Sequence, residues 1–242
     1  MNTVIKQLYD RKSVRVFTKQ EISEESIAQI LTAAAMAPTA GNQQLYTILN
    51  ITDPKLKEAL SESCDHQPFI ADGKLVLVFC ADCLKWYDAY LHAGCQPRKP
   101  GEGDLMLAVC DALIAAQNAV VAAESLGIGS CYIGDIMENA EIHQNTLQLP
   151  RYVFPVAMLV FGYPTEQQKT RPKPERVAMK HIVHNNHYRI MDEAELREMF
   201  SPRCGEKGFD QWMDAFCNRK YNSDFSVEMT RSVKKYLEQF SD

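Results

Sequence analysis

Apolar residues recur along the chain at two periods. Helical spacing predicts helices over 2–10, where Val4, Ile5 and Leu8 share a face, and over 23–37, capped by Ser23 and stopped by Pro38. Asp53-Pro54, a capping carboxylate followed by proline, opens a third helix that ends near Ser63. A long helix follows at 104–126, with Asp104 at its start and Gly127 just past its end, and another at 137–147. Strand-length apolar runs lie at 45–51, 74–80, 129–133 and 153–161. The run at 74–80 is nearly continuous, as expected of a central strand covered on both faces. Pro155 argues for an edge position or a bulge in the last strand. Residues 162–190 lack a regular pattern and carry Pro164, Pro172 and Pro174, and the tail reads as helices near 191–200, 208–219 and 225–239. This order of elements predicts an α+β or α/β fold: a core over 1–190 that ends in an extended arm, then a helical extension over 191–242.

Composition changes this picture little. A formal charge of −5 over 242 residues gives no reason to expect nucleic acid or a membrane as partner. The most apolar stretch, 105–123, is interrupted by Asp111, Gln117 and Asn118 and reads as a buried helix. With no basic and apolar leader at the N-terminus, the expected location is the cytoplasm, and the eight cysteines are expected to be reduced.

Candidate chemistry gathers at a few short segments. Arg11, Lys12, Ser13 and Arg15 put three cations and a hydroxyl into five residues. In an extended loop Arg11, Ser13 and Arg15 share a side, an arrangement suited to a phosphate dianion, though a solvated basic turn has the same composition. Lys169-Thr170-Arg171 repeats the alternation before Pro172. Thr39, Ala40, Gly41 and Asn42 form a small, polar turn with neutral hydrogen-bonding groups. Gly127-Ile128-Gly129 lacks the third glycine of a dinucleotide fingerprint and follows a helix instead of a strand, which excludes that motif. Cys80 with Cys83, and His92 with Cys95, are spaced like zinc half-sites, but Cys80 ends a buried strand, so no metal is expected. His181, His184 and His187 fall on what reads as an exposed arm.

Taken in order, Arg11-Lys12-Ser13-Val14-Arg15, Ala37-Pro38-Thr39, Gln67-Pro68-Phe69-Ile70, the run Ala122-Ala123-Glu124-Ser125-Leu126-Gly127 leading to Tyr132-Ile133-Gly134, and Lys169-Thr170-Arg171-Pro172 resemble the nitroreductase family of FMN-dependent NAD(P)H oxidoreductases. The resemblance implies a mostly antiparallel central sheet flanked by helices, in an intertwined homodimer with FMN at the subunit interface. It implies that Arg11, Ser13, Lys169 and Arg171, with Lys12 beside them, hold the FMN phosphate. Arg15 would sit at the pyrimidine edge of the ring, Gln67 would hydrogen-bond it, and Tyr132, Ile133 and Gly134 would line one face. Thr39, Ala40, Gly41 and Asn42 would contact ring and ribityl chain from the other subunit. The implied activity is ping-pong hydride transfer from NADPH or NADH to a nitroaromatic, quinone or flavin. A flavin-storing relative, or one with another flavin chemistry such as dehalogenation, shares the same residues. Asp135 departs from the resemblance, which leads one to expect a second glycine there. Arg219, Lys220, Asn222, Ser223 and Arg231 are candidates for a nucleotide 2′-phosphate, or equally a solvated helix end.

Overall fold

The structure is a computed structural model that describes residues 1–241. In chain order it contains α1 (Thr3–Asp10), α2 (Glu24–Ala35), β1 (Tyr46–Asn50), α3 (Pro54–Ser63), β2 (Leu75–Asp82), α4 (Leu84–His92), α5 (Glu102–Ser125), β3 (Gly129–Ile133), α6 (Ala140–Thr146), β4 (Val153–Gly162), α7 (Glu166–Thr170), α8 (Glu193–Cys204), α9 (Gly208–Lys220) and α10 (Asp224–Leu237). Side-chain oxygens of Asn2, Ser23 and Asp53 accept first-turn N–H groups and so start α1, α2 and α3. α5 begins earlier than its capping pattern predicts. Asp104 lies inside the first turn and reaches back to the Gly101 N–H at 2.8 Å.

The four strands form one antiparallel sheet in the order β1-β2-β4-β3. β2 and β4 are central and wholly buried, as the unbroken apolar runs require. Side chains alternate between two cores. Leu77, Phe79 and Ala81 face α2 and α5, whereas Val76, Val78 and Cys80 face Leu60, Ile70 and Cys131. Pro155 lies on a central strand, not an edge strand. It sits at a bulge, where the pairing steps from Phe79–Ala157 to Cys80–Pro155, and beyond the end of β3, whose last residue pairs with Met158. The ladder tolerates the missing donor there because only β2 remains alongside.

α5 is the one helix among the described residues long and apolar enough to cross a membrane. One of its faces, rich in alanine, is buried against the sheet and α2. The small side chains let the helix approach closely, and Asn118 bonds the Ala33 carbonyl of α2 at 3.1 Å.

The chain divides into two compact units. The first comprises Met1–Lys173 and the segment from Met229 onward, where Tyr236 packs edge-on against Phe154 and Phe240 against Tyr152. The second, Pro174–Glu228, holds α8 and α9, with Trp212 stacked between Phe200 and Phe216. The sequence reading placed its break at 190. His181, expected on an exposed arm, is buried.

Candidate cofactor site

Residues 11–17 leave α1 and run along the open edge of β3. Ser13 bridges Ser130, the Val14 N–H donates to the Ser130 carbonyl at 2.9 Å, and Phe17 bridges Pro164. Gly129 makes this approach possible, because a Cβ there would stand 2.6 Å from the Val14 side chain. Folding thus lays the first basic run on the sheet edge, where the second run meets it. Arg171 Nη2 donates to the Ser13 carbonyl at 2.6 Å, and Lys12 Nζ donates to the Lys169 carbonyl at 2.7 Å and to that of Arg171.

The second run is not the extended segment that its alternation predicts. Lys169 lies in the last turn of α7 and Arg171 at its C-cap, so the two do not alternate along a strand. The cause is local: Thr165 opens a single turn that lasts until the residue before Pro172, and helices end at that place. Two of the expected phosphate ligands have other partners. The Lys12 ammonium is engaged with backbone carbonyls and clamps the two runs together, and exposed Lys169 pairs with Glu166 at 2.6 Å.

Other groups in this cluster lack partners. Nε and Nη2 of Arg11, Nε of Arg171 and the Ser130 hydroxyl are buried with no hydrogen-bond partner. Leaving a buried donor unpaired is costly, and such groups are rare in native proteins. The Arg11 guanidinium lies 5.9 Å from the centre of the Tyr132 ring. Burial pushes the Tyr132 phenol up to about 12, with Arg11 pulling the other way. Burial likewise raises the Glu124 carboxyl, opposed by the nearby cations Arg11, Lys12 and Lys173 and reinforced by Asp10. The buried unpaired donors suit a phosphate, whose oxygens only accept.

Arg15 points elsewhere. Its side chain is exposed and lies 6.0 Å from the Phe69 ring, and its backbone N–H donates to the buried Gln168 at 3.3 Å. Arg15 is thereby joined to the segment Gln67-Pro68-Phe69. Gln67 in turn reaches Asp135, its Nε2 donating to Oδ1 at 3.2 Å. Gly134, between Ile133 and Asp135, is exposed, with φ −82°, and a Cβ there would find its nearest neighbour, the Met137 methyl, at 3.9 Å. The chain's own packing therefore does not require glycine at this position. Ile133 itself is buried in the core beneath the sheet edge.

The turn at Thr39 is built separately. Buried Asp111 of α5 accepts from the Thr39 hydroxyl, from the Ala40 N–H at 3.2 Å and from the Leu45 N–H at 3.2 Å. The Thr39 hydroxyl and the Ala40 N–H are thus satisfied within the chain, while Gly41 and Asn42 are exposed and left-handed, with φ of 57° and 56°. Asp111 and Glu124 stand thirteen residues apart on one helix, about 20 Å along its axis. The structure therefore gathers Arg11, Ser13, Arg15, Gln67, Tyr132, Gly134 and Arg171 in one region and leaves Thr39, Ala40, Gly41 and Asn42 in another.

The sequence reading missed Asp111, Ser130 and Gln168 as parts of this architecture. Asp111 was visible as the one acid within the apolar stretch 105–123. Of the nucleotide candidates, Arg231 is committed to Glu141 through two contacts of 2.9 and 2.7 Å, and Arg219 lies over Phe216 at 5.2 Å. Cys80 and Cys83 are buried, and burial pushes both thiols up to about 12. Among the described residues no group of three or more His, Cys, Asp or Glu is placed to hold a metal ion.

This fold is shared with solved bacterial nitroreductases. The structure of the NfrA1 nitroreductase from Bacillus subtilis superposes with a TM-score of 0.84 at 26% identity, over 98% of each chain. The chain belongs to the nitroreductase family, whose model matches residues 8–163. It is 31% identical to the FMN reductase (NAD(P)H) of Bacillus subtilis, over 99% of this chain and 92% of that one. It is 32% identical to the oxygen-insensitive NADPH nitroreductase of Salmonella typhimurium, over 88% and 89%.

Proposed function

We propose that the protein is an FMN-dependent NAD(P)H oxidoreductase acting on nitroaromatics, quinones or flavins, located in the cytoplasm. The observation that carries this reading is the set of buried, unpaired nitrogens of Arg11 and Arg171 where the two basic runs meet. Arg11 and Arg171 hold the phosphate of FMN, with Ser13 and Lys169 at its margin and Lys12 keeping the two runs in register. Arg15 offers a positive charge to the ring edge beside Phe69. Gln67 meets the ring by a hydrogen bond, and Tyr132 and Gly134 leave it room at the end of β3. Bound FMN supplies the capacity to take hydride from a reduced nicotinamide and pass it to an acceptor. The protein's part is positioning and electrostatics, and no side-chain base is needed for the hydride step.

The site is completed by a second copy of the chain. Its turn at Gly41 and Asn42 supplies contacts that the first copy's turn, about 20 Å away along α5, does not reach. The apolar faces of α1 (Val4, Ile5, Leu8) and α5 (Met106, Leu113, Ile114) are exposed in the single chain and form the dimer contact.

The test is direct. Purified protein is expected to be yellow with a flavin spectrum, and anaerobic NADPH or NADH should bleach it. A colourless protein that takes up no FMN refutes the reading. A yellow protein that neither nucleotide bleaches points to storage or another flavin chemistry.

A further inference from the structure

The side-chain amide of Gln67 has both of its hydrogens occupied. Nε2 donates to the Cys64 carbonyl at 2.8 Å and to Asp135 Oδ1 at 3.2 Å. A carbonyl and a carboxylate can only accept, so the reversed amide would set three acceptors against one another. The main chain is equally fixed, the Gln67 N–H donating to the Ser61 carbonyl at 2.9 Å and its own carbonyl accepting from the Ser61 hydroxyl at 2.8 Å. What Gln67 retains for a ligand is therefore Oε1, an acceptor.

We propose that Asp135 is a positioning residue that makes Gln67 an acceptor-only contact, so that the site selects a ring presenting an N–H at that edge. The inference rests on the reading above that the flavin ring lies at Gln67. Oxidised isoalloxazine has one ring N–H, at N3. A glycine at 135 would release one hydrogen of the Gln67 amide. The amide would then donate as well as accept, and the preference for an N–H would weaken.

The experiment compares FMN with its N3-methyl analogue. Protein stripped of flavin is titrated with each, and dissociation constants are read from flavin fluorescence. The parent is expected to bind the methylated ring at least roughly tenfold more weakly, the scale of a hydrogen bond lost with its acceptor left unpaired. Asp135→Asn, whose side-chain oxygen still accepts from Gln67, should keep that ratio. Asp135→Gly should lower it measurably, because the Cys64 carbonyl alone then holds the amide. The ratio is taken within each variant, so a general loss of stability cancels. Equal discrimination by Asp135→Gly and the parent overturns the proposal. A parent that binds both flavins alike also overturns it and leaves the functional reading intact, whereas a parent that binds no FMN removes both.

A second pair of variants keeps the test open should Asp135→Gly not fold. Gln67→Glu turns an acceptor toward Asp135 and should lower FMN affinity at least roughly tenfold. Adding Asp135→Asn, which can donate to the new carboxylate, should restore much of that loss. Failure to restore it means that residues 67 and 135 do not act as a pair.

Discussion

Arg11 has two buried nitrogens for which the folded chain provides no acceptor. Arg11→Ala therefore removes no internal hydrogen bond, and the flavin-free protein should lose little stability, giving up only the charge over the Tyr132 ring and near Glu124. FMN affinity should fall by about 1.5–3 kcal/mol, the worth of a charged hydrogen bond, as read by titration of the stripped protein. Arg171→Ala is less clean, because Arg171 also holds the Ser13 carbonyl, and it should lower both quantities. Gly134 offers a complementary test. Its backbone is ordinary and a methyl group fits the chain, so Gly134→Ala should be neutral or stabilise the stripped protein by about 0.4–1 kcal/mol. If the ring packs there, the same variant weakens FMN binding. A variant with unchanged affinity would falsify the placement of the ring. His143 sets the response to acid. It is fully buried beside the Ser63 hydroxyl at 2.9 Å, and burial lowers its pKa below the usual 6.5. Below pH 6.5 the unfolded chain binds a proton that the folded chain resists. Its contribution is present above that pH and is lost as pH falls toward the depressed value, with a slope no steeper than ~1.4 kcal/mol per pH unit. Urea midpoints from pH 7.5 to 5 should fall, and a His143→Gln variant should show a shallower fall.

At the scale of elements, what could be read from the sequence was what depends on neighbouring residues. Asn2, Ser23 and Asp53 start helices through their own first turns, and the continuous apolar runs of β2 and β4 mark strands buried on both faces. What depends on distant partners was hidden. Nothing near Lys169 in sequence announces the clamp from Lys12, 157 residues away. Pro155 pointed to a bulge correctly, but the place of β4 in the sheet depends on where β3 ends. Asp111 looked like an interruption of an apolar helix until folding brought Thr39, Ala40 and Leu45 to it. Its role yields a prediction about an element. Asp111→Ala strands two backbone N–H groups and a hydroxyl of the turn, and should cost about 1–3 kcal/mol for each donor that stays buried and unpaired. Asp111→Asn keeps one acceptor oxygen and should cost less. Chemical denaturation with both variants gives the ordering, and equal costs would mean that the turn does not depend on Asp111.

The whole molecule leaves two features of the single chain unexplained unless a second copy is present. One is apolar surface: α1 buries no residue, and its Val4, Ile5 and Leu8 face solvent together with Met106, Leu113 and Ile114 of α5. The other is the turn at Gly41 and Asn42, exposed and in left-handed backbone at the far end of α5 from the cationic cluster it is proposed to serve. One arrangement answers both. Two chains that pack α1 and α5 against each other cover the apolar faces and carry each turn to the partner's cluster. Leu113 and Ile114 lie on the exposed side of α5, away from the alanine face that packs on the sheet, so replacing both with aspartate should leave the fold of each chain in place. Light scattering should then report a mass near that of one chain, where the parent is expected to give two. The cationic cluster is untouched, yet FMN affinity should fall at least roughly tenfold if the partner's turn supplies the contacts proposed for it, at about 1 kcal/mol for each hydrogen bond lost. A monomeric variant that binds FMN as tightly as the dimer would show that one chain holds the whole site, and the position of the turn would then need another cause.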